Sequence, residues 1–260
     1  MQIINFHSHI YPSAIAEKAT KSIGKFYNIP MDRIGTPEKL LQDSKEAGIT
    51  SCVVHSVATT PKQVTTINDF IAEECSIHKE FIGFGAIHPD FENPEEEINR
   101  IKALGLKGIK IHPDTQLFNV DDEKMLPIYE ILSDNLPILI HCGDYRYGYS
   151  HPERLAKILD LFPRLTVIAA HFGGWSMPDL ALEYLENRNC FLDTSSSFFC
   201  TGMKRAEELI KIYGSERILF GTDFPMWNGK EELSRFLEMD LSQKEKENIL
   251  YKNAEKLLNL

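Results

Sequence analysis

His7 and His9 stand two residues apart at the end of a short apolar run, with one serine between them. Residues two apart on a β-strand project to the same face, so the two imidazoles are presented side by side, as two ligands of one metal ion would be. Further residues of metal-binding type close later apolar runs: His141 after Pro137-Ile-Leu-Ile, His171 after Val167-Ile-Ala-Ala, and Asp223 after Ile218-Leu-Phe-Gly-Thr. Neutral imidazoles and a carboxylate suit Zn2+ and similar borderline cations, and catalytic zinc usually keeps one position open for water. His7, His9, His141 and Asp223 supply such a set. One polar residue ending a strand is ordinary; several in order point to a shared centre.

The elements that must position these residues alternate along the chain. β-Branched runs at residues 2–6, 50–57, 81–87, 108–111, 137–140, 165–170, 190–194 and 217–220 read as strands. Helical patterns lie between them. Thr36-Pro37 fits an N-cap and first helical position with Gly48 as the stop, while Ser150-His-Pro-Glu153 and Ser242-Gln-Lys-Glu245 have capping-box form. Gly105 and Gly214 sit where a helix must turn into the next strand. Strands that alternate with helices pair in parallel, because parallel neighbours need a crossover. No Gly-rich dinucleotide fingerprint or P-loop follows any strand, and no repeat or linker divides the chain. The expectation is a single (β/α)8 TIM barrel over residues 1–260 whose chemistry lies on the C-terminal rim.

Composition narrows the partners. With 43% hydrophobic and 25% charged residues the chain reads as globular, and a net charge of -10 argues against nucleic-acid and anionic-membrane surfaces. A small-molecule substrate is expected instead. The five cysteines are widely spaced with no C-x-x-C, and the first apolar stretch lacks a basic flank and meets His7 too soon for a secretory signal. No apolar run is long enough to span a bilayer. A reduced, cytoplasmic setting is the expectation.

His7-Ser-His9, Ile140-His141-Cys142-Gly143, His171-Phe172-Gly173-Gly174, Gly221-Thr222-Asp223-Phe224-Pro225 and the closing Asn253-Ala254-Glu255-Lys256-Leu257-Leu258 carry a resemblance to the amidohydrolase superfamily. More narrowly the chain resembles the amidohydrolase-related branch, which includes hydrolases and metal-dependent decarboxylases of the aminocarboxymuconate-semialdehyde type. The motifs occur in the family's order and span nearly the whole chain. The resemblance implies one Zn2+ held by His7, His9, His141 and Asp223, with His171 facing the substrate as acid, base or electrophile. It also implies a homodimer. In binuclear relatives a carboxylated lysine on strand 4 bridges two metals, which His141 and His171 help to bind. Lys110, between two isoleucines, occupies the matching strand. Burial favours a neutral amine that can form a carbamate; the alternative is an ammonium that holds a substrate carboxylate.

The remaining histidines read more simply. His55, His88 and His112 also follow strands, the last two in His-Pro-Asp triplets, and His-Pro is mainly a strand-ending signal, with a supporting or substrate-contact role as the alternative. His78 and His151 read as surface residues. Specificity is expected from the loops: the insert at residues 10–35, the aromatic loop at residues 144–149 with Arg146, and Trp175, Phe198, Phe199 and Trp227. Arg146 or Arg33 would pair a substrate carboxylate, with Trp175 and His112 as further contacts. Three functions are weighed: a hydrolase whose metal-activated water attacks a carbonyl with Asp223 as proton acceptor, a non-oxidative decarboxylase using the same residues, and a non-catalytic barrel. The intact ligand set disfavours the last, and the hydrolase is preferred.

Overall fold

Alternation along the strands decides what fills the centre of the molecule. The computed structural model describes residues 2–260. Its strands are β1 (Ile4–His9), β2 (Ser51–His55), β3 (Phe81–Ala86), β4 (Gly108–Ile111), β5 (Ile138–Ile140), β6 (Val167–Ala169), β7 (Phe191–Asp193) and β8 (Ile218–Leu219). All neighbours pair in parallel, in sequence order. A parallel bridge between Ser8 and Phe224 joins the last strand's loop to the first, and the Phe6 amide reaches the Phe220 carbonyl at 2.7 Å. The result is a nearly closed (β/α)8 barrel with its helices outside.

Phe6, Val53, Phe84, Leu139, Ile168 and Leu219 point inward and pack as one cluster. Their strand neighbours Val54, Ile138, Ile140 and Val167 face the helices in a separate, larger cluster. This is the two-residue period of a strand, and each fully buried apolar side chain contributes roughly 1.5–3 kcal/mol. The Phe84 ring crosses the axis so closely that a Cβ on Gly108 would meet it at 2.5 Å, which explains why β4 begins with glycine. Two residues further along the inward rows stand His55 on β2, Lys110 on β4 and His141 just past β5. The apolar plug below thus fixes which residues face the mouth.

Two local expectations are corrected. β1 runs through His9 instead of stopping at Phe6, because the strand remains paired: its register shifts between Asn5 and Ser8, and His9 lies opposite His55 of β2. Ser150 does not cap the helix Pro152–Leu161; His151 does, its side chain accepting from the Glu153 amide, because Pro152 takes the first helical position and Asp114 takes the Ser150 hydroxyl. The caps at Thr36 and Ser242 form as expected, with Gly48 ending its helix at φ 77°.

Candidate metal centre

The mouth of the barrel opens into a cavity of about 870 Å³ whose floor carries His7, His9, His112, His141, His171 and Asp223. At its centre three donor atoms face one another. His7 Nε2 and His9 Nε2 are 3.3 Å apart, and Asp223 Oδ1 lies 3.5 Å from the first and 3.4 Å from the second. Ligand atoms that share one tetrahedral ion at about 2.1 Å are themselves about 3.4 Å apart, so the triangle has the size that a first-row divalent ion requires. His171 also comes within ligand reach of His7 and Asp223.

Buried carboxylates and hydroxyls hold this triangle open. Asp193, at the end of β7, accepts from His7 Nδ1 at 2.8 Å through one oxygen; the other accepts the backbone amides of His171 and Ser195, each at 3.0 Å. His7 therefore carries its proton on Nδ1 and turns a bare Nε2 to the centre. His171 Nδ1 donates to the Ser195 carbonyl at 2.7 Å, which likewise leaves Nε2 bare. Ser196 donates to Asp223 Oδ2 at 2.5 Å and receives the Trp227 indole N–H, freeing Oδ1 for the site. His171, Phe172 and Asp223 adopt left-handed backbone, at φ 59°, 53° and 64°. Such conformations cost roughly 1–3 kcal/mol each in non-glycine residues and persist where surrounding structure enforces them.

Burial favours the neutral form of five imidazoles around the centre. Burial, and secondarily the Lys110 ammonium, lowers His7 to about 4, and burial also lowers His9, His55, His112 and His141. Asp193 and Asp223 overcome burial through nearby imidazoles and their hydrogen bonds and lie below the usual carboxylate range. Neutral imidazoles beside ionised carboxylates are the protonation states a metal site needs. Lys110 is fully buried, burial lowers it to about 8, and its Nζ lies 3.3 Å from His7 Nε2. It thus faces the same nitrogen as the ion would.

His141 stands apart from the triangle. Its Nδ1 faces His171 Nε2 at 3.0 Å, its Nε2 lies 3.4 Å from Asp114 Oδ2, and its ring stacks on His112 at 3.8 Å between centroids. His112 in turn meets the Tyr27 hydroxyl at 2.7 Å. The loops after β5 and β6 interlock here: Trp175 and Ser176 amides donate to the Cys142 and Gly143 carbonyls, and a Cβ on Gly143 would lie 2.3 Å from the Gly174 backbone.

Arg146 and Trp175 sit one layer behind the lining. Asp144 engages the Arg146 guanidinium through both oxygens, Nη1 donates to the Phe26 carbonyl at 2.6 Å, and the same group lies over the Phe26 and Tyr27 rings. Trp175 packs against Tyr27. Both therefore brace the end of the helix Ser13–Tyr27, whose Ile23, Phe26 and Tyr27 line the cavity. Arg33 faces Asp43.

Two buried acids of the site are not singled out by the sequence, and one histidine is placed more closely by the structure. Asp193 and Asp114 are wholly buried acids, and the former's signal was there to find, a carboxylate closing β7 as Asp223 follows β8. Burial raises Asp114 to about 7. His55, which the sequence reads mainly as a strand end with a supporting or substrate-contact role as the alternative, has its ring edge to face with both His7 and His9. His88 stays outside the cavity lining, with the Asp90 amide donating to its ring.

The chain matches the family described as Amidohydrolase over residues 4–260 and belongs to it. Within it the chain falls in the amidohydrolase-related branch. It is 27% identical over 236 residues to the 2-amino-3-carboxymuconate-6-semialdehyde decarboxylase of Dictyostelium discoideum, covering 75% of this chain and 66% of that one. Gamma-resorcylate decarboxylase of Rhodococcus jostii is 26% identical over 249 residues, covering 74% and 75% of the two chains. Two further curated relatives are matched over only 46% and 31% of their length. Among solved structures, 5-carboxyvanillate decarboxylase of Novosphingobium aromaticivorans, complexed with manganese, superimposes with a TM-score of 0.80 at 20% identity, covering 100% and 96% of the chains. Among the described residues no helix is long and apolar enough to cross a membrane.

Proposed function

We propose that this protein is a metal-dependent, non-oxidative decarboxylase of a small unsaturated or aromatic acid. The observation that carries the reading is the triangle of His7 Nε2, His9 Nε2 and Asp223 Oδ1 at 3.3–3.5 Å beneath a largely apolar cavity. Decarboxylase names on relatives alike over three quarters of the chain favour this chemistry over the hydrolysis expected first. Apolar walls from Ile23, Phe26, Phe70 and Met226 suit a flat ring or an unsaturated chain, and the exposed lysines Lys18 and Lys62 on the lining suit its carboxylates.

His7, His9 and Asp223 would hold one divalent ion, with His141 the further ligand, and two imidazoles with a carboxylate suit zinc and manganese alike. The ion supplies a Lewis-acid anchor for substrate oxygen. The chain's own residues supply the rest. The Ser195 carbonyl holds His171 through Nδ1, so a second proton on that ring sits at Nε2, directed at the cavity. That proton passes to the substrate carbon bearing the carboxylate. The bond to the carboxyl carbon then breaks, its electron pair stays with the substrate, and carbon dioxide leaves. Lys110 stabilises the anionic substrate by charge, and the braced helix Ser13–Tyr27 keeps water out of the floor.

The decisive experiment incubates the metal-loaded protein with a panel of aromatic acids, unsaturated acids, lactones and amides. Labelled carbon dioxide should be released from carboxyl-labelled acids. Turnover of lactones or amides with no carbon dioxide from any acid would return the hydrolase reading to first place.

A further inference from the structure

We propose that Asp114 is the positioning residue that fixes the tautomer of His141, placing the ring proton on Nε2 and leaving Nδ1 as a bare donor at the floor of the cavity. The inference rests on the metal-centred reading above. It follows from hydrogen-bond directions. Asp114 is wholly buried, and its carboxylate receives the Ser150 amide at 3.2 Å and the Ser150 hydroxyl at 2.5 Å. The same hydroxyl accepts from the Gly143 amide at 3.1 Å, so its own proton must go to Asp114. Arg146, whose charge acts on Asp114, is engaged by Asp144.

His141 Nε2 lies 3.4 Å from Asp114 Oδ2 and has no hydrogen-bond partner among the described residues, whereas the other imidazole near Asp114, His112, already meets the Thr115 amide at Nδ1 and the Tyr27 hydroxyl at Nε2. Above about pH 7, where Asp114 is ionised, a bare Nε2 there would set a lone pair against a buried carboxylate. An N–H there meets an acceptor, and modest closure of the 3.4 Å gap completes the bond. With the proton on Nε2, Nδ1 is bare, and it faces the bare Nε2 of His171 at 3.0 Å. Two lone pairs at that distance repel unless something positive lies against them, an ion or the proton that His171 carries. Asp114 thus makes the β5 side of the floor electron-rich by acting through His141, as carboxylates that receive the far N–H of ligating histidines do elsewhere.

The test is nitrogen NMR of the ring signals in 15N-histidine-labelled protein at pH 8, with and without zinc, His141 being assigned from the signals missing in His141→Asn. The expected pattern is a protonated Nε2 in both samples and a metal-shifted Nδ1 once zinc is added. A metal-shifted or bare Nε2 in the parent overturns the proposal, and this readout needs no variant of Asp114. Alongside it, Asp114→Asn should weaken zinc binding roughly tenfold to a hundredfold, the usual cost of losing a carboxylate behind a ligating histidine. Unchanged affinity in a folded Asp114→Asn, with the parent binding zinc, overturns the inference alone. A parent that takes up no ion sinks the metal reading, and the metal-free spectrum still decides the tautomer.

Discussion

On the side of the floor built by β1, β6, β7 and β8, Asp193 holds His7 Nδ1, the Ser195 carbonyl holds His171 Nδ1 and Ser196 holds Asp223 Oδ2, so that among the described residues only His9 Nδ1 lacks a partner there. On the side built by β2, β4 and β5, His55 has no partner at either nitrogen among the described residues and His141 has none at Nε2. Each buried polar atom left unpaired costs roughly 1–3 kcal/mol, so the second side is the less stable arrangement as it stands. The difference teaches how the work is divided. One side fixes donors before any ion arrives; the other gains its partners only when ion, water or substrate completes it.

The largest expected effect tests the fixed side. Replacing His7 and His9 together with alanine removes two of the three converging donors, so bound metal and activity should both disappear. The apolar plug of Phe6, Phe84 and Leu139 lies below them and should hold the barrel, as circular dichroism would show. Elemental analysis that still finds one ion per chain would place the centre on the β4–β5 side and reverse the comparison.

Lys110 lies between the two sides and is the next largest lever. Lys110→Met keeps the length and the apolar stem but removes the charge 3.3 Å from His7 Nε2. In a centre with one ion the variant should keep its metal and lose turnover by roughly 10²–10³-fold, the usual scale for one preorganised charge. Two ions per chain in the parent, falling sharply in the variant, would show that this lysine bridges metals as a carbamate.

Acid stability of the metal-free chain separates the sides by pH window. His7, His9, His55, His112 and His141 are all lowered by burial, so below pH 6.5 the unfolded chain binds protons that the folded one refuses. Stability therefore falls as pH falls from 6.5, and for His7, lowered to about 4, the loss reaches about 3 kcal/mol. Asp193 and Asp223, held below their usual range, contribute above about pH 4 and are lost only beneath it. Asp114 and Glu232, raised to about 7, act in the opposite sense, losing their contribution as pH rises from about 4 to 7. Imidazoles outnumber these acids, so the unfolding midpoint should drop between pH 6.5 and 4.5. A flat profile there would mean the histidines are solvated or already charged.

The sequence marks residues of both sides, His141 and Lys110 of the second among them, but shows the partners of neither. Strand period and crossover spacing place His7, His9, His171 and Asp223 at strand ends, since these depend on near-neighbour patterns. Asp193 also closes an apolar run, but the sequence does not single it out, because the partners that give it a role, the His7 ring and the His171 amide, lie on β1 and beyond β6. Arg146 invites a substrate role by type and loop position. Only the fold reveals that Asp144, two residues away, and the Phe26 carbonyl, in the last turn of the helix Ser13–Tyr27, already occupy it. His55 is hidden for a similar reason: Val53 and Val54 before it read as strand, and nothing local says its ring will meet His7 and His9.

The smallest expected effect concerns that residue and sharpens the comparison most. His55 is fully buried with neither nitrogen paired, and its ring centroid lies 4.5 Å from that of His9, whose Nδ1 is also unpaired. If the ring only fills space, His55→Leu trades two unpaired polar atoms for an apolar side chain of similar size. Such exchanges are nearly neutral or stabilising. The metal-free variant should then unfold within about 1 kcal/mol of the parent, or later, and bind metal with little change. A loss above about 2 kcal/mol would mean that His55 has a partner after all, a buried water shared with His9 Nδ1 being the one the neighbouring unpaired atoms favour. Loss of metal affinity without loss of stability would instead make His55 part of the centre, and the β2 side would then belong with β1 among the elements that fix the ligands.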